Sequence, residues 1–189
     1  MNTKYEFTGE TKIVYGRTLR RIKAIVAIGA TVAPGDIGGW IESENNLSVS
    51  GDAWVYGDAM VFGNACVSGN AMVYFNACVY GNAMVSGNAS VSGKAEVYGN
   101  ASVSGKAMVS GDARVFGDED YMTFKNSWSS GRWFTYTASN KKWSVGCFYG
   151  TGDELVSKAY ADSELSGKCY EAIVRAVETI EAAKGRGVK

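Results

Sequence analysis

Residues 67–85 read VSGNAMVYFNACVYGNAMV, and the spacing within this stretch decides the fold. Valine returns every sixth residue, with alanine two before it and glycine two after it, except that Phe75 stands where the rhythm asks for glycine. Outward from here, valine occupies 49, 55, 61, 67, 73, 79, 85, 91, 97, 103, 109 and 115, and alanine runs from 53 to 113 at the same spacing. A short fixed period is the signature of a solenoid. In the unit Ala83-Met84-Val85-Ser86-Gly87-Asn88, Ala and Val are two apart and share one strand face, while Met84 and Ser86 face the other way. Glycine and asparagine enter positive φ at least cost, so each unit is one short strand plus one corner. Three such sides close a triangular coil, with stacked valines and small alanines as its core.

The aliphatic residue followed four positions later by a small one, repeated over residues 47–118, resembles the hexapeptide-repeat, left-handed parallel β-helix family. The resemblance implies a mainly β protein with about four coils, roughly 19 Å tall at about 4.8 Å per coil, and assembly as a homotrimer. The best-known relatives in that wider family are acyl- and acetyltransferases with a histidine general base, and zinc carbonic anhydrases with three histidine ligands. This sequence contains no histidine. A base poised near neutral pH and a neutral imidazole for zinc are both missing, so neither mechanism carries over. The expectation is a non-enzyme, with no catalytic residue, metal or cofactor assigned; a diverged acyl- or acetyltransferase relying on substrate-supplied bases is the alternative.

Lysine plus arginine equals aspartate plus glutamate at 19 each, so no whole-protein field favours nucleic acid or an anionic membrane. The N-terminal MNTKYEFTGETK has no signal-like apolar core, and no uncharged apolar run approaches the roughly 20 residues of a membrane helix. A cytoplasmic protein is expected. Cys66, Cys78, Cys147 and Cys169 form no CxxC pair and are expected to be free thiols.

Residues 1–46 are expected to form an N-terminal β cap: a hairpin turning at Gly16-Arg17, then VAPGDIGGWIESENNLS as an irregular first coil that plugs the open end. Arg17, Arg20, Arg21 and Lys23 cluster there and fit a solvated strand face better than an anion site. After Asp118 the period stops. Residues 119–189 are expected to be a small α+β domain of three short strands (DYMTFKNSW, RWFTYTAS, KKWSVGCFY) and two helices, about 152–160 and 164–184. In the second helix Leu165, Cys169, Ile173, Val177 and Ile180 make one apolar stripe, for the core or an oligomer contact. YGTGDE at 149–154 suits a helix cap, and Asp118-Glu119-Asp120 suits a solvated turn. The plan of GDIGGWIES, then xGNAxV repeats, then GCFYGTGDEL resembles hypothetical proteins common in bacteriophages and prophages, which implies a phage origin and no particular activity.

Sorting the outward positions by coil separates three sides. Side one carries Ser50, Ser68, Ser86 and Ser104; side two Tyr56, Tyr74, Ser92 and Ser110; side three Phe62, Tyr80, Tyr98 and Phe116. Stacked aromatics make an apolar strip that monomers seldom leave open, so either the terminal segments or a partner chain cover it. The expected oligomer interface is Trp54, Tyr56, Phe62, Tyr74, Phe75, Tyr80, Tyr98 and Phe116. A second candidate site, for a small anionic ligand, is the aromatic and basic group Trp128, Arg132, Trp133, Tyr136, Lys142 and Trp143; the competing reading is that these rings are the small domain's core. Together these features predict an oligomeric, non-enzymatic phage-type protein that binds or sequesters a host protein or a nucleotide-like molecule, as a counter to host defence.

Overall fold

Every repeat valine from Val55 to Val115, and every repeat alanine from Ala53 to Ala113, is fully buried in the computed structural model, which describes residues 2–185. Met1 and residues 186–189, the outer ends of the expected N- and C-terminal segments, lie outside the described residues. The inward methyl groups follow from the two-residue alternation of a strand, and each strand is only as long as the Xaa-Val pair between corners. Eleven such strands run from β4 (Trp54–Val55), one every six residues, to β14 (Arg114–Val115). The first eight each pair in parallel with the strand 18 residues on, as in Cys66↔Met84, Met72↔Ser90 and Cys78↔Glu96. The protein is therefore mainly β, built on a parallel β-solenoid of about four coils.

Corners need glycine for two reasons. Their φ lies between 58° and 75° from Gly51 to Gly111, and the coils stack so closely that a methyl group on Gly63, Gly69, Gly81 or Gly87 would stand 3.0–3.1 Å from the carbonyl oxygen of the next coil's glycine. Phe75 adopts the same geometry at φ 61°. An L-residue in that region costs about 1–2 kcal/mol. Phe75→Gly is thus expected to raise unfolding stability by about 1 kcal/mol, measured by urea denaturation, with the solenoid unchanged.

The first coil departs from the expected frame. Ile41 and Leu47 sit over Val61 and Val67, 20 residues away rather than 18, because the segment between Leu47 and Ala53 holds two extra residues. Leu47 therefore takes the core position assigned to Val49, which is 51% exposed. On side one Ser48, whose amide donates to the Val67 carbonyl oxygen at 2.9 Å, stands where Ser50 was expected.

The N-terminal segment joins the solenoid as strands. Strand β1 (Tyr5–Val14) pairs antiparallel with β2 (Arg17–Ala24), β2 with β3 (Ile37–Ile41), and β3 runs parallel to Met60–Val61, extending the side-three sheet to seven strands. The hairpin turns one residue earlier than expected, at Tyr15-Gly16. Both have positive φ, 49° and 75°, as a two-residue type I′ turn needs. The GG of GDIGGWIES is a close approach: a methyl group on Gly38 would lie 2.7 Å from Ile22 Cγ1 and from Trp54 Cζ2, and one on Gly39 would lie 2.6 Å from the Ala59 carbonyl oxygen. Asn46 is fully buried beneath a short 3-10 turn (Glu44–Asn46). Its Oδ1 accepts from the amides of Glu42 and Ser43 at 3.1 and 2.8 Å, and its Nδ2 donates to the carbonyl oxygens of Gly63 and Ala65 at 3.0 and 2.8 Å.

At the other end the acidic triplet is a cap. Asp118 Oδ1 accepts from the Ser102 amide at 2.7 Å, and Asp120 Oδ2 from the amides of Phe116 and Gly117 at 2.8 and 3.1 Å. Contacts along the chain divide it after Asp120, so the expected cap and solenoid segments form one unit.

The second unit, from Tyr121, is an antiparallel sheet of four strands rather than the three expected: β15 (Tyr121–Lys125), β16 (Trp133–Thr137), β17 (Lys142–Val145) and β18 (Phe148–Gly150). The turn at Gly146-Cys147 splits the third expected strand, with Gly146 at φ 58°. Helices α1 (Gly152–Asp162) and α2 (Glu164–Ala183) follow. The buried face of α2 runs through Gly167, Val174, Val177 and Glu181. Leu165 and Ile180 of the expected stripe are instead 60% and 41% exposed. Gly167 sets this rotation, because the Tyr160 ring of α1 occupies the space its side chain would fill: a methyl group on Gly167 would stand 2.2 Å from Tyr160 Cδ1.

Candidate functional site

The aromatic residues of the solenoid separate into buried packing groups, a stacked column and an open cleft. Trp54 is buried by the N-terminal segment, with Tyr5 at 6.3 Å between ring centroids. Phe62 is buried with Leu19, Trp40 and Cys78, and Val14, Met60 and Tyr80 lie at the margin of that cluster. Neither Trp54 nor Phe62 can serve the expected oligomer interface, because the chain's own hairpin covers both. Burial also pushes the Cys78 thiol up to about 12, helped by nearby Glu96, which leaves it protonated and unreactive at neutral pH.

On side three the rings form a column. Tyr15 meets Phe62 at 6.2 Å, Phe62 stacks on Tyr80 at 5.2 Å and 7°, Tyr80 on Tyr98 at 5.2 Å and 10°, and Tyr98 meets Phe116 edge-on at 5.4 Å. The coil rise sets this spacing. Tyr80 donates to Glu96 Oε2 at 3.2 Å, and burial followed by the Glu96 charge raises its pKa from 10 to about 12. Tyr5, buried and bonded to the carbonyl oxygens of Glu44 and Leu47, is raised to about 12 as well, chiefly by burial. A phenol with a raised folded pKa contributes stability that is complete below its unfolded value near 10 and is lost as pH rises towards 12. Alkaline titration is therefore expected to show part of the tyrosinate absorbance appearing only near pH 12 together with unfolding, and Tyr5→Phe should blunt the loss of stability between those values.

Side two is different. Tyr56 and Tyr74 occupy adjacent coils just as Phe62 and Tyr80 do, yet they make no ring contact with each other among the described residues. Tyr56 turns its hydroxyl to Thr31 Oγ1 at 3.0 Å, where either oxygen can donate, and to Met72 Sδ at 4.0 Å. Tyr74 leans instead on Phe75, at 5.1 Å and 59°. Between them opens a cleft of about 480 Å³ lined by Thr31, Tyr56, Gly57, Met72, Tyr74 and Phe75. Phe75 is 64% exposed. At this corner the coils also part: a methyl group on Gly57 would be 3.9 Å from the Phe75 carbonyl oxygen. No lining residue carries a charge.

The C-terminal candidates do not converge on one site. Tyr136 and Trp143 are core, packed with Phe134, Leu155, Val174 and Val177, and Trp128 packs on that core against Phe134 and Tyr170. Trp133 is half-buried and lies one residue out of step with Phe134 and Tyr136, on the opposite sheet face. Arg132 precedes the start of β16, whereas Lys142 pairs with Thr137 at its far end. The two cations are thus kept a strand length apart. A smaller cavity of about 250 Å³ touches Tyr136, Trp143, Lys141, Gly152, Asp153 and Glu178. The α1 N-terminus beside it is already capped: Thr151 Oγ1 accepts from the Glu154 amide at 3.3 Å, and Glu154 Oε2 accepts from the Thr151 amide at 2.7 Å.

The basic cluster of the hairpin is partnered. Arg17 grips Glu42 through two bonds of 3.0 and 2.9 Å, Arg20 donates to the Glu42 carbonyl oxygen, Arg21 pairs with Asp58 and Lys23 with Glu6. All four cysteines are free thiols. No group of three or more Cys, Asp or Glu among the described residues is arranged to hold a metal ion, and no described helix is long and apolar enough to cross a membrane.

Two stretches of the solenoid, residues 53–69 and 77–93, match the YdcK β-solenoid repeat family. Each spans just under one coil of repeat, so the likeness is to the repeat and not to the flanking segments. No curated protein matches the chain.

Proposed function

We propose that the protein is a non-enzymatic binding protein and that the side-two cleft is where it holds its ligand. The observation that carries this reading is the uncharged, aromatic cleft around Tyr56, Met72, Tyr74 and Phe75, held open on a rigid ladder of backbone hydrogen bonds. Its size and lining suit a small-molecule site, which is commonly apolar with a few placed polar groups. The lack of histidine argues against the transferase and carbonic anhydrase chemistries of other β-helices. The resemblance to bacteriophage proteins points to the host cytoplasm as the place of action and to antagonism of host defence, by sequestering a small molecule, as the role. The resemblance to hexapeptide-repeat, left-handed β-helices supports assembly as a homotrimer.

Native mass spectrometry of the protein purified from cells tests the reading. A retained small-molecule mass that disappears in Tyr74→Ser supports it. A retained acyl-CoA, with turnover of acyl-CoA above about 1 per second, would replace it with a transferase. Light scattering over a dilution series reads the oligomeric state independently.

A further inference from the structure

We propose that the side-two cleft takes an uncharged, planar aromatic ring system, such as a nucleobase in a nucleoside, inserted between Tyr56 and the Tyr74–Phe75 pair. This rests on the reading of the cleft as the ligand site and adds the chemistry of what fills it. The protein itself supplies the comparison. Where coils of side three carry successive rings, those rings stack at 5.2 Å and within 10° of parallel. The coil rise brings Tyr56 and Tyr74 to the same starting separation, but they splay. Tyr56 is drawn towards Thr31 and Met72, and Tyr74 towards Phe75. Neither ring of side two stacks on the other, which leaves each with a face for a guest ring.

The corner is adapted to the same end. Phe75 takes a glycine conformation at φ 61°, whereas the equivalent corners hold Gly57, Gly93 and Gly111. Its 64% exposed ring forms a second wall beside Tyr74. Gly57, at the same corner one coil away, lines the cleft without adding a side chain beside Tyr56. Met72, 39% exposed, supplies a polarizable floor for an aromatic face. A strained residue kept at a corner that glycine would fill without strain is the kind of outlier found at binding sites.

Charge narrows the class. The six lining residues carry no cation to meet a phosphate, and Arg21 and Lys23 of the hairpin are engaged by Asp58 and Glu6. The polar groups at the rim are the hydroxyls of Thr31 and Tyr56, which can give or accept one hydrogen bond at the edge of a heterocycle. A neutral base or nucleoside suits this lining better than the small anionic ligand expected of the C-terminal group would.

The test uses the 189-residue chain with adenosine, indole, AMP and cyclohexanemethanol, followed by ligand-observed NMR and calorimetry. Saturable binding of adenosine and indole is expected, with AMP no tighter than adenosine and the non-planar cyclohexanemethanol at least about tenfold weaker. Tyr74→Ser and Phe75→Gly each copy the residue used at equivalent positions of other coils, so both should fold. Each should weaken adenosine about tenfold, the effect of losing one stacking partner, while Phe116→Ala leaves it unchanged. No saturable binding of either ring, equal binding of cyclohexanemethanol, tighter binding of AMP, or variants that bind as wild type would each overturn the proposal. If a retained cellular mass depends on Tyr74 but neither ring probe competes with it, the ring assignment falls and the binding reading stands. If the probes bind as expected but protein from cells retains nothing, the ring site stands and the sequestration reading falls.

Discussion

Val85→Asp is expected to abolish the cooperative unfolding transition of the solenoid. Val85 is fully buried, at the middle of the side-one ladder between Val67 and Val103. A carboxylate there meets only methyl groups and has no room to reach water. Burying it unpaired costs several kcal/mol even if it is neutralised by protonation, against a total stability of about 5–15 kcal/mol for an ordinary domain. Because each coil packs only on its neighbours, a break in the middle also removes the template on which the flanking coils stack. Circular dichroism with thermal melting reads the outcome. A variant that retains the wild-type β signal and melting point would show that the valine stack is not the core of the protein.

Asn46→Ala is expected to destabilise the first unit by about 3 kcal/mol, the largest effect for a polar residue in the solenoid. The side chain joins the first coil to the second, accepting from two amides and donating to two carbonyl oxygens while fully buried. Alanine removes all four bonds and brings no replacement, and each buried backbone group left without a partner costs about 1–3 kcal/mol. The Glu42 amide retains a bond to the Val61 carbonyl oxygen at 3.2 Å, which keeps the sum below the simple total. Urea denaturation measures the change. A loss under about 1 kcal/mol would mean that water substitutes for the amide. Asp at this position should be nearly as harmful, since it can accept from Glu42 and Ser43 but cannot donate to Gly63 and Ala65.

Asn46 had no separate signal in the sequence. It lies in ENNLS, an ordinary polar turn, and its importance comes from a partner strand about one coil away. Leu47 escapes the periodic pattern for a related reason. The valine period continues formally back to Val49, and only the two extra residues at the first corner reveal that the chain changes register there. Periodicity reports what repeats locally and is silent at the first place where a coil departs from the rule.

The candidate site was partly legible. Phe75 stood out from the sequence because one glycine was missing from an otherwise regular set of corners. Tyr56 and Tyr74 were assigned to side two by counting, but their splaying could not be read, since the same counting applied to Phe62 and Tyr80 predicts an identical stack. The difference comes from Thr31, brought beside Tyr56 by the N-terminal segment, and from the side chain that Phe75 offers Tyr74. The C-terminal aromatics show the opposite case. Trp128, Tyr136 and Trp143 are as conspicuous as ligand rings in composition, and the helices pack them into a core.

By itself the sequence determined the solenoid, because the six-residue period states which side chains point inward, where the chain must turn and which residue can turn it; those are properties of bonded neighbours. It also determined that histidine chemistry is absent from this chain. The tertiary structure alone decided which aromatics remain accessible. Exposure depends on what the hairpin covers, how coils far apart in sequence meet, and which face of α2 is left for Tyr160 to fill, and none of these is a property of a local window. The hairpin buried Trp54 and Phe62, the side-three coils stacked their rings on one another, and Tyr56, Tyr74 and Phe75 were left around an open cleft.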